Sequence, residues 1–167
     1  MKPTRTWHAG HMLFALARYF NWWEQRMATE VELGSLREDL VVISRAGYVT
    51  VVEIKVTRSD WLKDRQKLRR WPSPLISRFF YAVPEPVFKQ GIPDHVPSLA
   101  GLLVVNEGGN FRGYDSVHEQ RPAFRMKAEK LSASRERAIT QSFYYRFWRQ
   151  QMELLAGRFH ERDRATA

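Results

Sequence analysis

The chain has no cysteine, which excludes disulfides and thiolate-bound metals and is compatible with a reducing compartment. No apolar run approaches the ~20 residues that span a bilayer; Met12 to Phe20 is apolar-rich but interrupted by Arg18. The N-terminal MKPTRTWHAGH lacks the apolar centre of a secretion signal, so a soluble cytoplasmic protein is expected, with no membrane partner. No internal repeat is evident, and 167 residues suit one domain with its own core. Acidic residues are in deficit, 18 against 27 Lys and Arg, for a net charge of +9. A basic surface favours polyanionic partners, nucleic acid first and anionic membrane second.

What is present is organised around Glu38 to Asp60, EDLVVISRAGYVTVVEIKVTRSD. Leu40 to Ser44 and Tyr48 to Val56 are rich in Val and Ile and read as strands. Arg45-Ala46-Gly47 between them suits a three-residue hairpin loop with glycine in the left-handed last position. That loop pairs Ser44 with Tyr48 and, five steps along, Asp39 with Glu53. Paired residues share a face with Cβ atoms roughly 4.5–5.5 Å apart, and alternation puts Lys55 on the same face. A two-residue loop would shift the register and send Asp39 to the opposite face from Glu53.

Two adjacent carboxylates repel each other, and carboxylate oxygens are the ligands that hard divalent cations prefer. Asp39 and Glu53 are therefore candidate ligands for Mg²⁺ or Mn²⁺. Lys55 beside them could position or deprotonate a water, or stabilise developing phosphate charge. The same three residues would also suit a solvated, self-neutralised cluster at a sheet edge. The placement of E-x-K at the end of an apolar strand, with Asp39 opposite, favours the metal site.

The pattern of an acid, about a dozen residues, then E-x-K over a hairpin and a following helix resembles the PD-(D/E)XK nuclease superfamily. Within it, REDLVVIS, VVEIKVTRSDWLKDRQK, RFFYAVPE and LAGLLVVNE look like MmcB-type DNA-repair-associated proteins, over roughly residues 29–115. The resemblance implies a restriction-endonuclease-like core, Asp39 and Glu53 as metal ligands and Lys55 as the catalytic lysine. It implies a Mg²⁺-dependent deoxyribonuclease acting on DNA, with RNA as the alternative polymer. Glu38 stands where the superfamily's name has proline. Members also use an additional acid; Glu24, Glu30 and Glu32 are candidates, with Glu32 nearer in sequence to the hairpin.

The remaining segments read as support. Leu13, Leu16, Ala17 and Phe20 mark an amphipathic helix over about Gly10 to Trp23. His8 and His11, three apart, lack the further ligands that zinc needs. Arg26 to Leu33 reads as a first strand, with Glu30 and Glu32 on one face. Thr57 and Asp60 fit a helix cap, with Ser59 as the alternative, and a helix from about Asp60 to Trp71 carries Lys63, Lys67 and Arg70 on one face. With Arg58 these are candidate contacts for a phosphate backbone. Ser77 to Val83 and Ala100 to Asn106 read as strands, the first implying a parallel crossover. Pro84 to Ser98 reads as a loop, and Phe111 to Tyr114 as a short returning strand. Arg121 to Lys130 reads as a basic loop suited to a polyanion, and a long helix is expected from about Ser134 to Phe159. Its aromatics at Phe143, Tyr144, Tyr145, Phe147 and Trp148, interleaved with Arg146 and Arg149, suit a core stripe better than base stacking. The expectation is one α/β domain with a mixed sheet of about five strands, its core over about residues 10–115 and a helical extension over about 126–160.

Overall fold

The computed structural model describes residues 5–22, 24–33, 36–64, 73–108, 113–141 and 144. Two compact units divide the chain, Met1–Leu131 and Ser132–Ala167. The first is a mixed α/β arrangement whose six strands lie in chain order across one sheet. These are β1 (Arg26–Leu33), β2 (Leu36–Ile43), β3 (Val49–Ile54), β4 (Ile76–Pro84), β5 (Gly101–Asn106) and β6 (Ser116–Arg121). The β3–β4 and β4–β5 pairs are parallel; the other neighbours are antiparallel. The parallel β3–β4 pair is the one expected from a strand, a helix and a strand in sequence.

The sixth strand is the element the amino-acid pattern hides. Ser116–Arg121 has one strongly apolar residue, Val117, and its side chains are half-buried or exposed. Of its residues only Val117 packs against the core, so no apolar alternation marks the strand. Of the return expected at Phe111 to Tyr114, residues 111–112 lie outside the described residues, and Gly113 and Tyr114 are irregular.

One face of the sheet packs on helix α1 (Ala9–Tyr19). Met12, Ala15 and Leu16 meet Leu40, Val42, Val52, Ile54, Phe80, Ala82, Leu103 and Val105. The expected stripe sits about one residue too late, and Leu13 and Phe20 are only partly buried at its margin. α1 also stops before Trp22. Asn21 takes a left-handed conformation (φ 62°), and Trp22 N–H bonds Ala17 O at 2.9 Å while Asn21 N–H bonds Arg18 O at 3.2 Å. This is the helix-ending motif in which a left-handed residue satisfies the last carbonyls.

On the opposite face lies α2 (Arg58–Lys63), capped as expected by Thr57, whose hydroxyl accepts from Asp60 N–H. Trp61 on α2 is fully buried and its ring lies 6.0 Å from that of Tyr81 on β4. The continuation expected to Trp71, with Lys67 and Arg70, lies outside the described residues. A single short helix, α3 (Glu85–Phe88), interrupts the proline-rich loop.

After β6 the chain runs irregularly along the end of the sheet where β3 begins. Met126, Glu129 and Leu131 N–H groups bond the carbonyls of Ser77, Pro74 and Gly47 at 2.8–2.9 Å. The helix expected from about Ser134 to Phe159 occupies residues 133–141 among those described. The aromatic–arginine stretch from Tyr145 to Arg149, and Phe143, lie outside the described residues. No helix among the described residues is long and apolar enough to cross a membrane.

Gly101 opens β5 where no side chain fits. A Cβ there would sit 2.3 Å from Phe80 Cδ1 and 2.8 Å from the Ala123 backbone nitrogen. Gly101→Ala is expected to lower unfolding free energy by about 1–3 kcal/mol, the usual penalty of overpacking. Urea denaturation would measure it; a wild-type midpoint would mean that both Phe80 and the 122–124 backbone yield without penalty.

Candidate active site

The hairpin forms in the register that brings Asp39 to Glu53. Leu40 pairs with Val52, Val41 with Val51, Val42 with Thr50 and Ile43 with Val49. Gly47 holds the left-handed position (φ 83°), and Ser44 N–H bonds Tyr48 O at 3.0 Å. One step beyond the last backbone pair the ladder changes character. The Asp39 carboxylate, through Oδ2, accepts the Ile54 N–H at 2.8 Å. A side-chain oxygen thus takes the place of a strand carbonyl and fixes the carboxylate at the end of β3.

Asp39, Glu53 and Lys55 line one cleft of about 330 Å³, closed on its other sides by Ala9 and Leu13 of α1, by Glu30, and by Ile54, Val56 and Asp60. Four carboxylates and one ammonium line it, so the cleft attracts cations and repels a bare phosphate.

Lys55 is the hub of the charges behind it. Its Nζ lies 2.8 Å from Glu53 Oε1 and 3.0 Å from Asp64 Oδ1. Tyr81, the cross-strand partner of Glu53, donates its hydroxyl to Asp64 Oδ2 at 2.6 Å. Glu53, Lys55 and Asp64 are 2–4% exposed. Burial alone would push the ammonium pKa down; Glu53 first and Asp64 second outweigh it and hold Lys55 well above its ordinary value. With both carboxylates beside it, Lys55 is a cation at neutral pH. Of the roles that spacing alone left open, orienting water and offsetting phosphate charge fit this state. Burial, and then the bond to Asp64, raise the Tyr81 hydroxyl likewise, so it stays a donor.

The additional acid requires a correction. Glu32 is exposed, pairs across the strands with Arg37 and does not line the cleft. Glu30 does line it. Thr29 pairs with Leu40 and Val31 with Glu38, which places Glu30 level with Asp39, two residues nearer than Glu32. Glu30 has a positive φ of 54°, and the buried positions of β1 switch phase across it, from Ala28 to Val31 and Leu33. That break is why alternation counted from either end misplaces the acid. Glu30 also meets Arg37 Nη2 at 2.5 Å on the surface. Glu24 is exposed and does not line the cleft.

No family model matches the chain, and no curated protein sequence matches it. Among solved structures, the SPO1766 protein of unknown function from Silicibacter pomeroyi is similar, at 22% identity and a TM-score of 0.57, over 92% of this chain and 93% of that one. The likeness extends to the fold.

Of the candidate phosphate contacts, Lys63 is exposed. Arg58 is engaged elsewhere: its Nη1 donates to the Gly91 carbonyl, and the guanidinium lies 5.8 Å from the Trp61 ring centre. Lys67 and Arg70 lie outside the described residues.

Among the described residues no three His, Asp or Glu side chains form a ready-made metal group. The fit to a divalent cation rests on the donor chemistry. Mg²⁺ characteristically takes one or two carboxylates and completes its shell with waters and substrate phosphate oxygens. Asp39 and Glu53 supply that minimum from rigid strand positions, and neither thiolate nor imidazole lines the cleft to favour a softer metal.

Asp64, Tyr81 and Glu38 are the members that pattern reasoning missed. Asp64 follows Trp61 by three residues and is buried with it, so the helical spacing that marks Trp61 as inward also marks Asp64. Glu38 is buried, and its charge contributes to raising Tyr81. Tyr81 depends on the β3–β4 register, which no short-range signal encodes.

Proposed function

We propose that the chain hydrolyses phosphodiester bonds of DNA with a divalent cation, Mg²⁺ or Mn²⁺, on a restriction-endonuclease-like core, in a repair or processing setting. The observation that carries this reading is the single cleft lined by Asp39, Glu53 and Lys55. Its excess of carboxylates supports a cation between protein and phosphate, because a phosphodiester would otherwise be repelled. Asp39 and Glu53 would hold the ion, which when bound would acidify a water and polarise a phosphoryl oxygen. Lys55 would donate to the water or to a phosphate oxygen and offset the charge that develops there. The Ile54 N–H keeps the Asp39 carboxylate aimed while this happens. The exposed Lys63, and Lys67 and Arg70 further along the sequence, would hold the strand by its backbone without reading its bases. DNA as the polymer, and the repair setting, rest on the sequence resemblance.

One observation favours a second reading, a nucleic-acid-binding module without catalysis: Lys55 lies between two buried carboxylates, as a structural ion pair would. A nicking assay on supercoiled plasmid with Mg²⁺ or Mn²⁺ decides between them. Wild type is expected to cut, EDTA to stop it, and Glu53→Ala and Lys55→Ala to abolish it, with labelled RNA as competitor. Salt-sensitive DNA binding without cutting would overturn the enzyme in favour of the module. Cutting that persists in both variants would belong to a contaminant.

A further inference from the structure

We propose that Asp64, anchored by Tyr81, is a positioning residue: it forms the cation-independent half of a two-point clamp that keeps the Lys55 ammonium at the cleft when Glu53 turns to a metal ion. This rests on the hydrolytic reading of the same cleft and adds residues outside the D…E-x-K pattern.

The geometry separates the two acids that Lys55 touches. Glu53 contacts Lys55 and also lines the cleft. Asp64 contacts Lys55 from a buried position and is not part of the lining. A divalent ion in the cleft therefore competes with Lys55 for Glu53 and not for Asp64. Like charge would also drive the ammonium away from such an ion. Without a second counter-charge, loading the site would release the group that the chemistry needs.

Asp64 is suited to that task by its own anchoring. The Tyr81 hydroxyl bonds its Oδ2 at 2.6 Å, and its Oδ1 lies 3.0 Å from Lys55 Nζ. Tyr81 is fixed by β4 and by the buried Trp61 ring. An ammonium has three donors; two point to Glu53 and Asp64. When Glu53 rotates to the ion, Asp64 still holds one, and two become available to water or phosphate oxygens. Lys55 thus also stands in for the metal in the ion-free protein, neutralising Glu53 until a cation arrives.

The test is ¹⁵N-edited NMR of the Lys55 side-chain ammonium, visible only when the group is held and shielded from exchange, in the full-length protein with and without MgCl₂. Wild type is expected to keep the signal in both conditions. Asp64→Asn is expected to keep it without Mg²⁺ and lose it with Mg²⁺. In plasmid nicking, Asp64→Asn is expected to lower kcat by about 10–100-fold with little change in KM, and Asp64→Glu to recover part of that loss. Should Asp64→Asn fail to fold, Tyr81→Phe, which removes one hydroxyl, carries the same comparison with a weaker signal expected in Mg²⁺. An Asp64→Asn signal that survives Mg²⁺, or a wild-type signal that does not, overturns the clamp. A wild type that holds the signal in Mg²⁺, loses it in Asp64→Asn and cuts nothing supports the clamp and overturns the hydrolytic reading alone.

Discussion

Lys55→Met is expected to reduce unfolding free energy at pH 7 by about 3–5 kcal/mol, the range for breaking a buried ion pair by removing one partner. The side chain is nearly isosteric, so packing changes little. What changes is that Glu53 and Asp64, both buried, lose the ammonium that lies within 3.0 Å of each. The wild-type contribution has a defined pH window. Lys55 has a raised folded pKa, so its stabilisation is fully present below the unfolded value of about 10.4 and is lost as pH rises through the folded one. The site reading adds a second expectation. With the internal cation gone, a divalent ion becomes the natural counter-charge for Glu53, and millimolar Mg²⁺ is expected to raise the variant's melting temperature more than the wild type's. Ligand stabilisation grows with the logarithm of concentration over Kd, so a Mg²⁺ titration followed by thermal unfolding would show it as a slope. A variant as stable as wild type would mean that water reaches the two carboxylates. A variant insensitive to Mg²⁺ would remove the cation site.

The same residues show how far the sequence carries. The hairpin was legible because three local signals agree: two β-branched runs, a glycine where a left-handed residue is required, and a loop length that fixes register. Register then brought Asp39, Glu53 and Lys55 to one cleft with no tertiary information. The crossover to β4 was legible for a similar reason, since a helix start separates two apolar strands. Other features were set by long-range context. Leu36 to Asp39 reads as charged, yet it extends β2 because β1 supplies its partners. β6 has no apolar alternation because only its Val117 packs against the core. Glu30 reaches the cleft in place of Glu32 through a local backbone reversal in φ that alternation cannot anticipate. Asp64 was within reach, one helical turn after the inward Trp61; it looks like one more charge among lysines until burial is known. Plasmid cutting is the measurement that tests the activity implied by the PD-(D/E)XK resemblance.

Asp39 allows the fold and the chemistry of the cleft to be separated by two substitutions at one position. Its Oδ2 closes the β2–β3 ladder by accepting the Ile54 N–H at 2.8 Å, and its charge faces the cleft beside Glu53. Asp39→Ala is expected to lose both functions. It leaves the Ile54 N–H, on a buried residue, without that acceptor, a loss of about 1–3 kcal/mol. Asp39→Asn keeps an amide oxygen of the same reach and gives up only the charge, so its stability is expected to fall by about 1 kcal/mol or less. Metal-dependent cutting is expected to respond differently, dropping by roughly a hundredfold in both variants, about 2.7 kcal/mol of transition-state stabilisation. An amide binds a hard dication far more weakly than a carboxylate does. The pair of measurements is urea unfolding for the first quantity and Mg²⁺-dependent nicking for the second. Stability that separates the two variants while activity does not is the signature of a residue that is both a strand cap and a ligand. If Asp39→Asn instead cuts like wild type, the carboxylate is structural only, and the cation must be held by Glu53 with Glu30 or Asp60, the other acids that line the cleft.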